Sequence, residues 1–210
     1  KVRFFTNGTD KFADLFSMIE QAKHHIHIQY YIYRGDYIGK SLLTALVKKA
    51  AEGVEVRLLL DHLGSINTPN SFFDELRKAG GEVAFFFPLK LPSLNLRLNF
   101  RNHRKLVIID GRTGYIGGFN VGDEYLGLSP RFGYWRDTHM KLEGSAVSQM
   151  QAQFLMDWNV SAKSEIGMES AYFPRQLGKG KAGIQILSSG PNHTEEQIKN
   201  AYIKMITNAT

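Results

Sequence analysis

The sequence predicts an α/β sandwich built around a mixed, largely parallel sheet. Strand-like and helix-like segments alternate up to about residue 87, in the order β-α-β-α-β-α-β. Two of the helix-like segments end at glycine, at Gly53 and at Gly80, and glycine is typical of helix carboxyl ends. Helices between consecutive strands provide the crossovers that parallel pairing requires, and they cover the faces of the sheet.

The elements of the first half follow from the spacing of apolar residues. Residues 10–23 place Phe12, Leu15 and Ile19 at helical intervals, and Asp10 stands where it can cap the helix. Residues 54–60 are almost continuously apolar, as in a buried parallel strand. The predicted strands are residues 2–6, 26–33, 54–60 and 83–87, and the predicted helices are residues 10–23, 38–52 and 71–79.

The second half predicts a hairpin, one further strand and a long helix. Leu106–Ile109 and residues 114–118 are strand-like and flank Asp110-Gly111, a dipeptide that favours a tight turn. A strand is predicted at residues 140–142 and a helix at residues 145–159.

A weak internal repeat sets the predicted domain organisation. After a short insertion, residues 184–210 repeat the strand-helix apolar pattern of residues 2–22. Residues 167–183 contain Gly, Lys and Pro without a clear period, as a linker does. We therefore expect a first domain over residues 1–166, a linker over 167–183 and the start of a second, homologous domain over 184–210.

Composition narrows the classes of function. The chain has no cysteine, so a disulfide framework and a thiol nucleophile are excluded. No run approaches the roughly 18 apolar residues that span a bilayer, and the first residues carry neither an initiator Met nor a signal-peptide core, so we expect a cut or processed start. The net charge of +6 favours an anionic partner such as nucleic acid, lipid or a phosphorylated small molecule.

One long segment concentrates positive charge. Between Val83 and Ile109 there is no Asp or Glu, whereas five Lys and Arg residues alternate with Phe and Leu. Two interpretations remain open. The segment is either a buried strand followed by a loop with a solvated basic edge, or a cationic and partly apolar approach to a site, suited to a lipid headgroup.

A motif for phosphate chemistry follows this segment. His103-Arg104-Lys105-Leu106-Val107-Ile108-Ile109-Asp110 fits the pattern H-x-K-x₄-D, and Gly117-Gly118-Phe119-Asn120 comes shortly after. Residues two apart on a strand share a face, so His103 and Lys105 should project into one open pocket beside a central strand. The hairpin should return Gly117, Gly118 and Asn120 to that pocket. There the glycines let a backbone amide approach a phosphate oxygen closely, and the Asn120 amide supplies another hydrogen-bond donor. His103, Lys105 and Asp110 are therefore the candidate catalytic residues, supported by Gly117, Gly118 and Asn120.

This stretch resembles the signature of the phospholipase D superfamily, and its flanks are similar to bacterial cardiolipin synthases. The matching residues are 99–105, Asp110-Gly111, 115–125 and 134–139. The resemblance implies a two-lobed enzyme with one such motif in each lobe. The second motif and the transmembrane helices that usually precede the catalytic part are absent here, so we expect an excised fragment that is inactive alone.

The resemblance also implies a mechanism. A cardiolipin synthase-type phosphatidyltransferase would use His103 as nucleophile, forming a phosphohistidine, while Lys105 neutralises the phosphate oxygens. Asp137, at the position of the superfamily's downstream acid, would fix the tautomer of His103, with Asp123 and Glu124 as alternatives. A histidine of the missing lobe would act as general acid. We expect no cofactor and no metal.

Two further expectations concern individual residues. Asp110 should fix local structure rather than transfer protons. His24, His25 and His27 should be structural histidines rather than metal ligands, because no carboxylate stands near them in the sequence.

The expected partners are phosphatidylglycerol or another anionic phospholipid, the membrane surface and the missing second lobe, and nucleic acid is disfavoured. The whole protein should associate with the cell membrane, with its catalytic part in the cytoplasm. Two alternatives stay open: a single-motif phosphodiesterase or nuclease that completes its site as a homodimer, and a catalytically silent lipid-binding fragment.

Overall fold

A seven-stranded sheet forms the centre of the molecule. The structure is a computed structural model that describes residues 1–88, 101–162, 164–176, 180, 182–190 and 195–209. The spatial order of the strands is β1-β7-β6-β5-β2-β3-β4. The strands are β1 Val2–Phe5, β2 His25–Tyr30, β3 Glu55–Asp61, β4 Glu82–Phe86, β5 Leu106–Ile109, β6 Thr113–Gly117 and β7 His139–Glu143.

Helices cover both faces of this sheet. They are α1 Gly8–Gln21, α2 Tyr37–Ala51, α3 Asp74–Lys78 and α4 Ala146–Ser161, whereas a further helix, α5 Gln197–Thr207, buries none of its residues. The first three helices bury apolar residues against one face, and α4 buries its own against the opposite face around Trp158. The predicted sandwich is therefore confirmed. Within the described residues, no helix is both long and apolar enough to cross a membrane.

The expectation of a largely parallel sheet is wrong. Only β2–β3 and β3–β4 are parallel, and the other four pairings are antiparallel. Crossover helices set the direction of β2, β3 and β4 alone. A hairpin reverses β6 against β5, and β1 lies at the far edge of the sheet, antiparallel to β7. The sheet is mixed, as predicted, but its parallel part is confined to three strands.

The hairpin after β5 forms at the predicted dipeptide. Asp110 and Gly111 have φ angles of 52° and 60°, a left-handed pair that favours Asp, Asn and Gly and is typical of tight hairpin turns. The N–H of Arg112 donates to the carbonyl of Ile109 at 3.0 Å. β5 is the fourth of the seven strands, so it is the central strand that the sequence predicts.

Other differences from the sequence are local. The residue that caps α1 is Asn7, whose side chain accepts the N–H of Asp10 at 2.8 Å, so Asp10 lies inside the first turn. The strand expected near residue 184 is wrong, because residues 182–190 pair with no strand edge. Within the predicted linker, Tyr172 is buried in the core beside α4. The domain boundaries themselves stay a prediction.

Candidate active site

A cavity of about 370 Å³ opens where β5 begins and where β2 and β6 end. It contains the predicted histidine and lysine together with both predicted glycines. Its lining consists of Ile32, His103, Lys105, Gly117, Gly118, Asn120, Tyr125, Trp135 and Asp137.

The chain entering β5 alternates between two faces. The side-chain amide of Asn102 and the guanidinium of Arg104 both donate to the carboxylate of Asp157 in α4, at 3.0 and 3.1 Å. His103 and Lys105 therefore face the opposite side, where they line the cavity. The Nζ of Lys105 donates to the carbonyl of His103 at 2.7 Å. The prediction that these two residues share one open pocket is confirmed.

The electrostatics of the pair suit an anionic ligand. Burial lowers the pKa of Lys105 to about 8, while the carboxylates of Asp137 and Asp61 oppose that shift. Partial burial lowers the pKa of His103, the positive charge of Lys105 lowers it further, and Asp61 opposes the change. At neutral pH the lysine is therefore mostly charged and the imidazole mostly neutral, which is the nucleophilic form.

Both predicted glycines are required by close approaches. A β-carbon on Gly117 would overlap the backbone of Thr138 and of His139, the β7 residue paired with Gly117. A β-carbon on Gly118 would overlap the carboxylate of Asp137. That carboxylate accepts the N–H of Thr138 at 2.6 Å. Gly118 therefore makes the space that allows Asp137 to lie in the cavity wall.

Asn120 has a structural task in addition to lining the cavity. Its Oδ1 accepts the N–H of Ile32 at 3.0 Å, and its Nδ2 donates to the hydroxyl of Tyr125 at 3.0 Å. One of its two amide hydrogens is thus engaged. The other remains for the predicted contact with a phosphate oxygen.

Asp110 lies outside the cavity, at the opposite end of β5. Five residues of extended chain, roughly 17 Å, separate it from Lys105. Its carboxylate accepts the backbone N–H groups of Lys23, His24 and His25 at distances from 2.7 to 3.2 Å. Asp110, one of the three candidate catalytic residues, is thus not brought together with His103 and Lys105, and its carboxylate holds the backbone at the start of β2.

The two alternatives to Asp137 are also occupied elsewhere. Asp123 accepts the N–H groups of Tyr37 and Ile38, at 3.2 and 2.9 Å, at the start of α2. Glu124 forms an ion pair with Arg34 at 2.9 Å. Neither lines the cavity, so Asp137 is the one of the three that shares the cavity with His103.

Sequence reasoning missed two residues beside the pair. Asp61 ends β3, is 1% exposed and accepts the N–H of Asn102 at 3.0 Å. It thereby fixes the residue before His103 and places a buried negative charge near the cavity. The ring of Tyr31 packs against that of His103 at 4.6 Å. Asp61 ends one buried strand and Tyr31 follows another. The carboxyl ends of parallel strands commonly form ligand sites, a signal that could have found both residues.

The histidines at the start of β2 form a hydrogen-bonded chain far from the cavity. His24 bonds His25 at 2.8 Å, and His25 bonds the Gln151 oxygen at 3.1 Å. The Gln151 nitrogen bonds His27 at 2.8 Å, and His27 bonds Glu55 at 3.1 Å. Burial lowers the pKa of both His25 and His27 to about 3. The prediction that these histidines are structural is confirmed.

Part of the cationic approach predicted between Val83 and Ile109, residues 89–100 with Lys90 and Arg97, lies outside the described residues. No cluster of three or more His, Asp or Glu side chains able to hold a metal ion occurs in the described part of the chain.

The fold is shared with two single chains of known structure. NucT from Helicobacter pylori matches with a TM-score of 0.59 and 18% identity, over 77% of this chain and 98% of that one. Nuc from Salmonella typhimurium, a phospholipase D family member, matches with a TM-score of 0.53 and 16% identity, over 79% of this chain and 100% of that one.

Sequence comparison specifies the branch. The chain belongs to the family of the cardiolipin synthase, phospholipase D-like domain, whose model matches residues 15–158. It is 59% identical to the major cardiolipin synthase ClsA of Bacillus subtilis, over 99% of this chain and 43% of that protein. It is 54% identical to a cardiolipin synthase of Listeria monocytogenes, over 100% of this chain and 44% of that protein. The chain thus spans less than half the length of these relatives.

Proposed function

We propose that the chain supplies one lobe of a phosphatidyltransferase that makes cardiolipin from phosphatidylglycerol through a phosphohistidine on His103. The observation that carries this proposal is the meeting of His103 and Lys105 with two close-packed glycines and an acid in one cavity. Family membership adds the substrate class. The relatives are twice as long, which supports a second lobe that begins in residues 184–210.

The first step is attack of the neutral His103 imidazole on the phosphorus of phosphatidylglycerol. A P–N bond forms, the P–O bond to the headgroup glycerol breaks, and the departing glycerol oxygen takes a proton. Lys105 and the amides near Gly118 offset the charge on the non-bridging oxygens as it develops. Asp137 holds the imidazole in the tautomer that leaves the attacking nitrogen unprotonated.

The second step reverses the first with a new alcohol. The hydroxyl of a second phosphatidylglycerol attacks phosphorus, the P–N bond breaks, and His103 is regenerated. A general acid must protonate the glycerol and then take the proton of the acceptor, and such a group contributes about 10²- to 10⁴-fold. His139 does not fit this role, because it is completely buried and its pKa lies well below the usual range. The second lobe supplies this group.

Turnover of phosphatidylglycerol by the two-lobed protein tests the proposal. Replacing Lys105 with Ala should lower kcat/KM. The loss should correspond to about 2 to 4 kcal/mol of transition-state stabilisation, the scale for one preorganised donor. Lys40→Ala, on the exposed face of α2, is the matched control and should leave turnover unchanged. Equal rates for the two variants would overturn the assignment of Lys105.

The homodimeric phosphodiesterase is the second candidate, favoured by the match to whole chains of single-lobe size. We predict no phosphatidylglycerol turnover by the 210-residue chain alone. Activity that rises with the square of its concentration would favour the dimer instead. Activity linear in concentration would show that one motif suffices.

A further inference from the structure

An exposed loop beside the cavity combines apolar side chains with positive charge. We call residues 126–136 the aromatic loop. Leu128, Phe132 and Tyr134 in it are 58%, 46% and 72% exposed. The loop also carries Arg131 and Arg136, and no Asp or Glu occurs anywhere within it.

The loop has a defined shape. Gly127 and Gly133 adopt left-handed φ angles of 75° and 60° at its two bends. The N–H of Gly133 donates to the carbonyl of Ser129 at 2.9 Å, which closes a turn. A β-carbon on Gly127 would contact the Gly133 carbonyl at 3.5 Å, so the bends lie against each other. The exposed apolar side chains are therefore presented by a folded loop.

An unbroken path of aromatic rings joins the loop to the cavity. The ring of Phe132 lies 5.5 Å from that of Trp135, which in turn lies 5.0 Å from that of Tyr125. Trp135 and Tyr125 line the cavity that holds His103 and Lys105. The loop and the cavity mouth thus form one continuous surface.

We propose that the aromatic loop inserts into the surface of an anionic phospholipid bilayer and sets the cavity at the depth of the headgroup phosphates. Leu and Phe suit the acyl boundary, Tyr and Trp suit the interface, and the two arginines suit anionic headgroups. The inference rests on the proposed function, because it names how that cavity reaches its lipid.

Vesicle binding by the 210-residue chain tests this. Vesicles containing phosphatidylglycerol should bind it more tightly than vesicles of phosphatidylcholine alone, and added salt should weaken that preference. The double variant Phe132→Ser, Tyr134→Ser should lower the partition constant by at least about tenfold. A control pair, Val160→Ser and Met168→Ser, removes side chains that are 72% and 61% exposed elsewhere, and should bind as the original chain does. Thermal unfolding of both double variants verifies that they fold.

Lipids with brominated acyl chains give a second readout. The chain has two tryptophans, of which Trp158 is 1% exposed in the core and Trp135 lies in the aromatic loop. Brominated lipid should quench the tryptophan fluorescence of the bound chain, and this quenching should disappear in Trp135→Phe. Unchanged vesicle binding by the loop variant, or loss shared equally with the control pair, would overturn the inference.

Turnover separates this inference from the proposed function. On a monomeric, short-chain phosphatidylglycerol, the two-lobed protein should keep its activity in the loop variant and lose it in His103→Ala. If the two-lobed protein fails to turn over that substrate, the proposed function fails, whatever the vesicles show. If turnover is normal and the loop variant binds vesicles as tightly as the original chain, only the inference about the loop fails.

Discussion

Acid should unfold this protein through two histidines on β2. His25 and His27 are completely buried, and their pKa values fall from 6.5 to about 3, chiefly because burial disfavours the charged ring. The next contribution is repulsion of positive charge, from Arg57 for His27 and, for His25, from a His27 ring that would also be protonated. Asp110 partly opposes the change at His25. Both rings are therefore neutral in the folded state at any pH above about 3.

The sign follows from linkage. In the unfolded chain these histidines titrate near 6.5, so stability is complete above that pH and is lost as the pH falls toward about 3. One pKa unit corresponds to about 1.4 kcal/mol. Between pH 7.5 and 5.0 each histidine therefore lowers the free energy of unfolding by about 2 kcal/mol, and the two together lower it by about 4 kcal/mol. That is a large share of the roughly 5 to 15 kcal/mol that stabilises a domain.

Urea unfolding between pH 7.5 and 5.0 measures the effect. Below pH 6, His25 and His27 together should contribute about 2.7 kcal/mol per pH unit to the fall in the free energy of unfolding, in addition to the contribution of the buried His139, whose pKa is also lowered. In His27→Gln the slope should be smaller by about 1.4 kcal/mol per pH unit, whatever the absolute stability of that variant. The same slope in both proteins would refute the reasoning, because His27 would then not titrate on unfolding.

Three further outcomes are expected. Asp110→Ala should lower the free energy of unfolding by about 2 to 3 kcal/mol, since three N–H groups lose a charged acceptor, and should leave kcat of the two-lobed protein unchanged; a large loss of kcat with intact stability would contradict its structural role. Gly118→Ala should abolish most turnover by displacing Asp137, whereas Gly183→Ala, where a β-carbon meets nothing within 4 Å, should not. The kcat/KM of the two-lobed protein should fall as the pH rises through about 8, because Lys105 then loses the proton that its role requires; a flat profile from pH 7 to 9.5 would argue against that role.

The sequence predicted the motif hairpin well because its determinants are local. Alternation along a strand places His103 beside Lys105, and a two-residue turn at Asp110 fixes the return of β6, all within a short stretch of chain. The direction of the sheet could not be predicted in this way. It depends on β1 pairing with β7, residues about 140 positions apart, which no local pattern specifies.

The site shows the same division. Gly118 could be recognised as a position that must be small, but the neighbour that requires it, Asp137, comes from a distant segment. Asp61 escaped prediction because a single carboxylate after a strand is common, and its importance comes from meeting Asn102, 41 residues away, in the folded chain. Local spacing thus indicates which residues carry the chemistry, and long-range packing decides what orients them.

Trapping of the covalent intermediate tests the central claim most directly. The two-lobed protein is mixed with phosphatidylglycerol, denatured at neutral pH within one turnover and digested for mass spectrometry. We predict a phosphatidyl group on the peptide that contains His103, and no such adduct in His103→Ala. An adduct on any other residue, or one that persists in His103→Ala, would contradict the assignment of His103 as the nucleophile.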